Sequence, residues 1–187
     1  MNKRRIVIAG AFVLISAFSV SINSCTKIAK TLSLDLPMQT GSVNIYIPAT
    51  EDTINNLTFG PETSYFNVDS FVRSSTGEQF NGKNISKVTI TECKLTVLNP
   101  SPTNNIANFQ SCSASLFSDV KKDPYTISLI DNPDLYAYSL NIPIQNTDLS
   151  SYIGKTYSYY VTGRLRKPLT QPLECTLTYT YNVSVKG

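Results

Sequence analysis

Side chains able to do chemistry are sparse in this 187-residue chain. Acidic pairs stand at Glu51/Asp52, Asp119/Asp123 and Asp131/Asp134, and paired carboxylates suit acid–base work or calcium ligation through oxygen. Each pair lies among turn formers, where Asp is favoured by bonding to nearby backbone, so solvated turn residues are the expectation. The chain has 4 cysteines, Cys25, Cys93, Cys112 and Cys175, and no histidine. Without His, the commonest general base and the usual partner of a Ser or Cys nucleophile are missing. With no closely spaced Cys pair, zinc is not expected either. Ser111-Cys112-Ser113-Ala114-Ser115 reads as a strand face, and no G-x-S-x-G turn occurs. The expectation is a protein that is not an enzyme, with no metal and no cofactor.

A second group is built for contact rather than reaction. Tyr152, Tyr157, Tyr159 and Tyr160 crowd one short segment, followed by Arg164, Arg166 and Lys167. With Tyr152 and Tyr160 facing solvent beside Arg164 and Arg166, the four would form a binding patch for sugar rings or a protein partner, because Tyr and Arg are enriched at binding hot spots. The competing reading puts Tyr157 and Tyr159 in the core and leaves the basic residues to solvate a loop.

The elements that would position these residues begin with an export signal. Lys3, Arg4 and Arg5 form a basic start, Ile6 to Val20 an apolar run, and Ser21 to Ser24 a short polar end. The apolar run is shorter than the roughly 20 residues a membrane span needs. Ile22-Asn23-Ser24-Cys25 resembles the lipobox of bacterial lipoproteins, with an aliphatic residue three before, and a small one immediately before, the cysteine. That resemblance implies a signal peptide of residues 1–24, cleavage before Cys25, a diacylglycerol on the Cys25 sulfur and an acylated amino group, palmitate among the acyl chains. At about 0.8 kcal/mol per buried methylene, two or three such chains anchor a protein almost permanently. Residues 25–31 then form a short tether. Thr26-Lys27-Ile28-Ala29-Lys30 carries no acidic residue, which resembles outer-membrane lipoproteins facing the periplasm rather than those shown on the cell surface.

Removing the signal also removes the net charge. The chain has 16 Lys plus Arg against 13 Asp plus Glu, and without Lys3, Arg4 and Arg5 the two signs balance. A nearly neutral mature chain gives no electrostatic footprint for nucleic acid.

From Leu32 the pattern alternates with period two, as half-buried antiparallel strands do. Strands are expected near 32–38, 43–47, in 57–68, at 85–98, 109–117, 125–130, 140–144 and 157–165, and most clearly at 173–186. There Leu173, Cys175, Leu177, Tyr179, Tyr181, Val183 and Val185 alternate without a fault. Pro37 and Pro143 confine their strands to edges. A parity change between Ile90 and Cys93 predicts a bulge near Thr91 or Glu92. Asn67 or Asp69 could cap a short helix, and 148–154 reads as one helical turn. Residues 32–187 are thus expected to form an all-β, antiparallel, immunoglobulin-like β-sandwich of about seven to nine strands with one or two short helical turns. This mature region resembles small Bacteroidota envelope lipoproteins, a likeness of overall pattern that carries no functional residues with it.

Asn99 to Asn105 is built of turn formers, so 85–98 and 109–117 are expected to pair as a hairpin with Cys93 close to Cys112. An oxidising compartment would then favour a Cys93–Cys112 disulfide, with Cys175 the alternative partner. Three reduced core thiols are the other reading. Together these readings suggest a lipid-anchored binding module of a bacterial envelope, tied to the membrane by its N-terminal lipid and meeting an envelope protein or glycan. The alternative is a structural subunit that, like Bacteroidota fimbrillins, assembles by strand exchange.

Overall fold

The computed structural model describes residues 32–39, 42–129 and 131–187. The signal sequence, Cys25 and the tether lie outside the described residues, as does Ile130 at the end of an expected strand. Nine strands follow in order: β1 Ser33–Gln39, β2 Val43–Ile47, β3 Asn56–Tyr65, β4 Ile85–Val97, β5 Phe109–Ser118, β6 Tyr125–Leu129, β7 Ser139–Asn141, β8 Thr156–Leu165 and β9 Leu173–Lys186. Among the described residues one helix, α1 Val68–Thr76, lies between β3 and β4, and three-residue 3-10 turns occupy Gly82–Asn84, Ile106–Asn108 and Ser150–Tyr152.

Among the described residues every strand pairing is antiparallel, and the strands form two sheets. One has the order β1-β9-β4-β7, with β2 also on β9; the other runs β3-β8-β5-β6. Their inner faces bury one apolar core that includes Ile45, Ile47, Leu95, Phe109, Leu116, Tyr159 and Tyr179. The expected sandwich is present, and β9 is its spine. Its buried residues alternate with wetter ones from Leu173 to Lys186, matching the sequence pattern. β4 covers one side of β9, while β1 and β2 share the other, β1 against residues 180–186 and β2 against 173–177. Pro37 therefore sits in an edge strand, where its missing N–H costs no ladder bond.

Local signals act as their chemistry requires. Asn67 caps α1 by accepting from Ser70 N at 3.1 Å, and Gly77 ends the helix in the left-handed region at φ 58°. The β4–β9 register slips between Ile90 and Glu92, the expected bulge, which turns Cys93, Leu95 and Val97 inward after Val88 and Ile90. At Gly163 the sheet tolerates no side chain, since a Cβ would come within 2.8 Å of the Phe109 ring.

One expectation is corrected. β4 and β5 do not form a hairpin; β4 lies between β9 and β7 in the first sheet, β5 between β8 and β6 in the second. The connection from Leu98 to Asn108 crosses from sheet to sheet, a span of about 10 Å. It has the length to do so and carries its own 3-10 turn at Ile106–Asn108. Cys93 and Cys112 are consequently not cross-strand neighbours, and Cys93, Cys112 and Cys175 are buried free thiols.

Candidate site at the loop end of the sandwich

The four residues of the expected binding patch do not come together. Tyr152 is buried, with Lys121 Nζ 4.4 Å from its ring centre. Tyr160 lies on the outer face of β8 against Phe117, ring centres 5.5 Å apart. Arg164 is exposed and its Nε reaches Thr53 O at 3.4 Å. Arg166 is structural: its guanidinium donates to the carbonyls of Ala107 and Asn132, tying two loops together. Tyr157 and Tyr159 are core residues, as the competing reading held.

Nor do the acidic pairs or thiols make a reactive centre. Asp52 accepts from Ile54 N, Asn55 N and Asn55 Nδ2, and these bonds, the Asn55 side chain foremost, lower its pKa. Asp119 accepts from Lys155 N at 3.0 Å, which lowers its pKa in the same way. Asp52 is a turn carboxylate held by local amides, and Asp119 is held by the backbone at the start of β8. Burial pushes the thiols of Cys93, Cys112 and Cys175 up to about 12, so at neutral pH they are protonated and poor nucleophiles.

The best-built feature lies elsewhere, where four connections meet: 48–55, 98–108, 131–138 and 166–172. All leave or enter strand ends near Leu173, the start of β9. Four asparagines fall between Asn99 and Asn108, and three of them, with Asn132, are nearly inaccessible to solvent. Asn104 Oδ1 accepts from Thr170 N at 2.8 Å, while its Nδ2 donates to Thr170 Oγ1 at 2.9 Å. Asn105 and Asn108 form a reciprocal capping box around the 3-10 turn, Asn105 Oδ1 accepting from Ala107 N and Asn108 Oδ1 from Asn105 N. Asn108 Nδ2 also donates to Pro168 O at 2.9 Å. Asn132 Nδ2 reaches Ile106 O and Phe109 O, fixing the 131–138 connection to the same centre. Buried amides satisfied in this way hold connections that would otherwise be among the most mobile parts of a fold.

Above this scaffold lies an open groove of about 520 Å³, inside the usual 300–1,000 Å³ range of small-ligand sites. Its walls include Pro102, Thr103, Asp134, Tyr136, Lys167 and Thr170. Lys167 Nζ sits 2.7 and 2.9 Å from the two oxygens of Asp134, and this partner lowers the Asp134 pKa. Tyr136 is 59% exposed, although the backbone beside it is held by Ile106 N to Ala137 O and Val97 N to Tyr138 O. Among the described residues, five of the eight exposed large apolar side chains lie in these connections: Ile54, Leu98, Leu135, Tyr136 and Tyr138. Scattered singly such residues mean little, whereas these share the connections at one end of the sandwich. By contrast, the cavity between the sheets beside Met38, Val88, Tyr157 and Tyr181 measures about 20 Å³, room for about one water.

Sequence reading missed this site because asparagine is also an ordinary turn former. The available signal was excess: Asn99, Asn104, Asn105 and Asn108 are more than one turn requires. No helix among the described residues is long and apolar enough to cross a membrane.

No protein-family model and no curated protein matches the chain. Among solved structures, it is similar over 82% of its length to 41% of a candidate secreted protein from Eubacterium rectale, at 10% identity and a TM-score of 0.43. It is similar over 83% to 33% of an infectious bursal disease virus Gt strain chain, at 6% identity and TM-score 0.39. A BFDV capsid protein from a 60-mer aligns over 84% of this chain and 95% of its own, at 11% identity and TM-score 0.34. The chain thus spans about two fifths and one third of the first two. All three scores are low, and the sandwich rests on its own strand pairing.

Proposed function

We propose that this chain is a lipid-anchored binding module of a bacterial envelope, without catalytic activity, that holds the loop end of its sandwich away from the membrane. The observation that carries this reading is the polarity of β9. The described chain begins at Leu32, beside Gly187, whose N–H donates to Leu32 O. Ser33 pairs with Lys186 at one end of β9, and the groove lies beyond Leu173 at the other. Fourteen residues rising about 3.3 Å each separate the two ends by roughly 45 Å. A lipid on Cys25 and a tether of a few residues place the Ser33 end at the bilayer, leaving Tyr136, Lys167 and Asp134 at the far tip. The reading is tested by a photo-crosslinking residue at Tyr136 in the native host, with the same residue at Tyr65, exposed at the other end, as reference. Capture of a discrete envelope species at 136 alone is the expected result; no capture at either position, or equal capture at both, overturns it.

One observation favours a second reading, a structural subunit assembling by strand exchange. β1 is an edge strand supplied by the start of the described chain, and it alone covers residues 180–186 of β9 on that side. A strand from another copy would find the same ladder there.

A further inference from the structure

We propose that the groove bounded by Tyr136, Asp134, Lys167, Thr103, Thr170 and Pro168 binds a short neutral saccharide. This inference rests on the binding-module reading and names the ligand class for that same site. Three features of the groove select the chemistry.

First, its charges are already paired. Lys167 Nζ contacts both Asp134 oxygens, so an ionic ligand would have to break a formed pair, whereas a hydroxyl can donate to the carboxylate or accept from the ammonium without net charge change. Second, the groove is open and its lining includes the rings of Tyr136, Pro102 and Pro168, apolar surface of the kind that suits the C–H face of a pyranose ring. Third, Thr103 and Thr170 line the same groove, and their hydroxyl oxygens, which accept from Asn104 Nδ2, keep a lone pair for a ligand hydroxyl.

The scaffold beneath removes much of the ordering cost that weak polar ligands cannot overcome. Thr170 is held by Asn104, Pro168 by Asn108, and the chain around Tyr136 by Ala137 O and Tyr138 O, so the groove exists before any ligand enters. Protein recognition would instead be expected to bury a larger surface than a groove of about 520 Å³ offers.

The test uses the full-length chain extracted from membranes in a polyoxyethylene detergent, which offers no sugar headgroup. Maltotriose, cellotriose, mannotriose and triacetylchitotriose are titrated, with binding read by saturation-transfer NMR and calorimetry. The expected result is binding of at least one, weakened tenfold or more by Tyr136→Ala and also weakened by Lys167→Met, with Tyr65→Ala unchanged. Unaltered thermal midpoints exclude unfolding as the cause. No binding by any of the four, or binding that Tyr136→Ala leaves intact, overturns the proposal. Should photo-crosslinking at 136 capture a protein while no trisaccharide binds, the saccharide assignment falls and the binding-module reading stands; absence of both results removes both.

Discussion

Asn104 meets both the backbone and the side chain of Thr170: the Asn104 amide oxygen takes the Thr170 N–H at 2.8 Å and its nitrogen reaches the Thr170 hydroxyl at 2.9 Å. Sixty-six residues separate them in sequence, and this contact closes the β4–β5 connection onto the β8–β9 connection. Asn104 is 2% exposed, so truncation removes the shared acceptor of Thr170 N and Gln171 N and leaves the buried space of the amide unfilled. Asn104→Ala is expected to cost about 1–3 kcal/mol. In a domain of this size that lowers the thermal midpoint by roughly 2–4 °C per kcal/mol. Calorimetry checks it, and a midpoint equal to that of the parent protein would show that the loop end is not stapled there.

The second prediction concerns a close approach in the second sheet, between Gly163 and Phe109. A Cβ at Gly163 meets Phe109 Cδ1 at 2.8 Å and Cε1 at 3.0 Å, and the ring is fully buried. Gly163→Ala should destabilise by about 1–3 kcal/mol through overpacking. Phe109→Leu on its own leaves a cavity, but in the double variant the added methyl fills part of it. The pair should therefore be less destabilising than the sum of the single changes, read as urea midpoints in a double-mutant cycle. Strict additivity would sink this account of the glycine.

Much of this architecture could be read from the residues before any coordinates. β9 is legible because one face is wet and the other dry along its whole length, and the β4 bulge because parity changes there. The start of α1 is legible from Asn67, whose side-chain oxygen suits the free amides of a helix N-terminus. Two features were not. Periodicity reports which face of a strand is buried, never which strand lies beside it, so β4 and β5 read equally well as a hairpin or as strands of facing sheets. The role of a polar side chain in a loop depends on what crosses over it. Arg166 looks like a solvated cation until Asn132 O and Ala107 O arrive from other connections, and Tyr152 looks exposed until Lys121 covers it.

The thiols predict an alkaline limit to stability. Cys93, Cys112 and Cys175 have their pKa values raised by burial from 9.0 to about 12. Above pH 9 the unfolded chain releases protons that the folded chain keeps, so the unfolded state binds fewer and stability falls as pH rises. The full contribution is present below pH 9 and disappears as pH climbs towards about 12. Each thiol can contribute up to about 1.4 kcal/mol per pH unit to that slope. Urea midpoints should be flat from pH 7 to roughly pH 8.5 and then drop, and Cys112→Ala should make the drop shallower. A midpoint that holds through about pH 10.5 would contradict burial of these groups.

The edge strand separates the two functional readings. A chain lacking residues up to Leu36 loses the pairings from Ser33↔Lys186 to Leu36↔Val183 and bares that part of β9. A strand-exchanging subunit should then accept β1 from another copy, and mixing it with full-length protein should give oligomers by light scattering. A binding module should lose stability and stay monomeric. Monomers are the expected outcome, and ordered chains of subunits would favour the structural role.

Anchoring is tested at one atom. With the Cys25 sulfur as the lipid attachment, radiolabelled palmitate should enter the protein in its host, and Cys25→Ser should abolish both the label and membrane association while the signal still exports the chain. The same variant separates anchor from fold. Residues 32–187 contain the whole described sandwich, so its thermal midpoint should not move. Trisaccharide binding at Tyr136 should also persist, because the groove lies at the end of β9 remote from Ser33. Palmitate in the Cys25→Ser protein would place the lipid elsewhere. Retained membrane association without label would mean that the chain is held by contacts of its own surface, and the end bearing Tyr136 would then have no reason to point away from the bilayer.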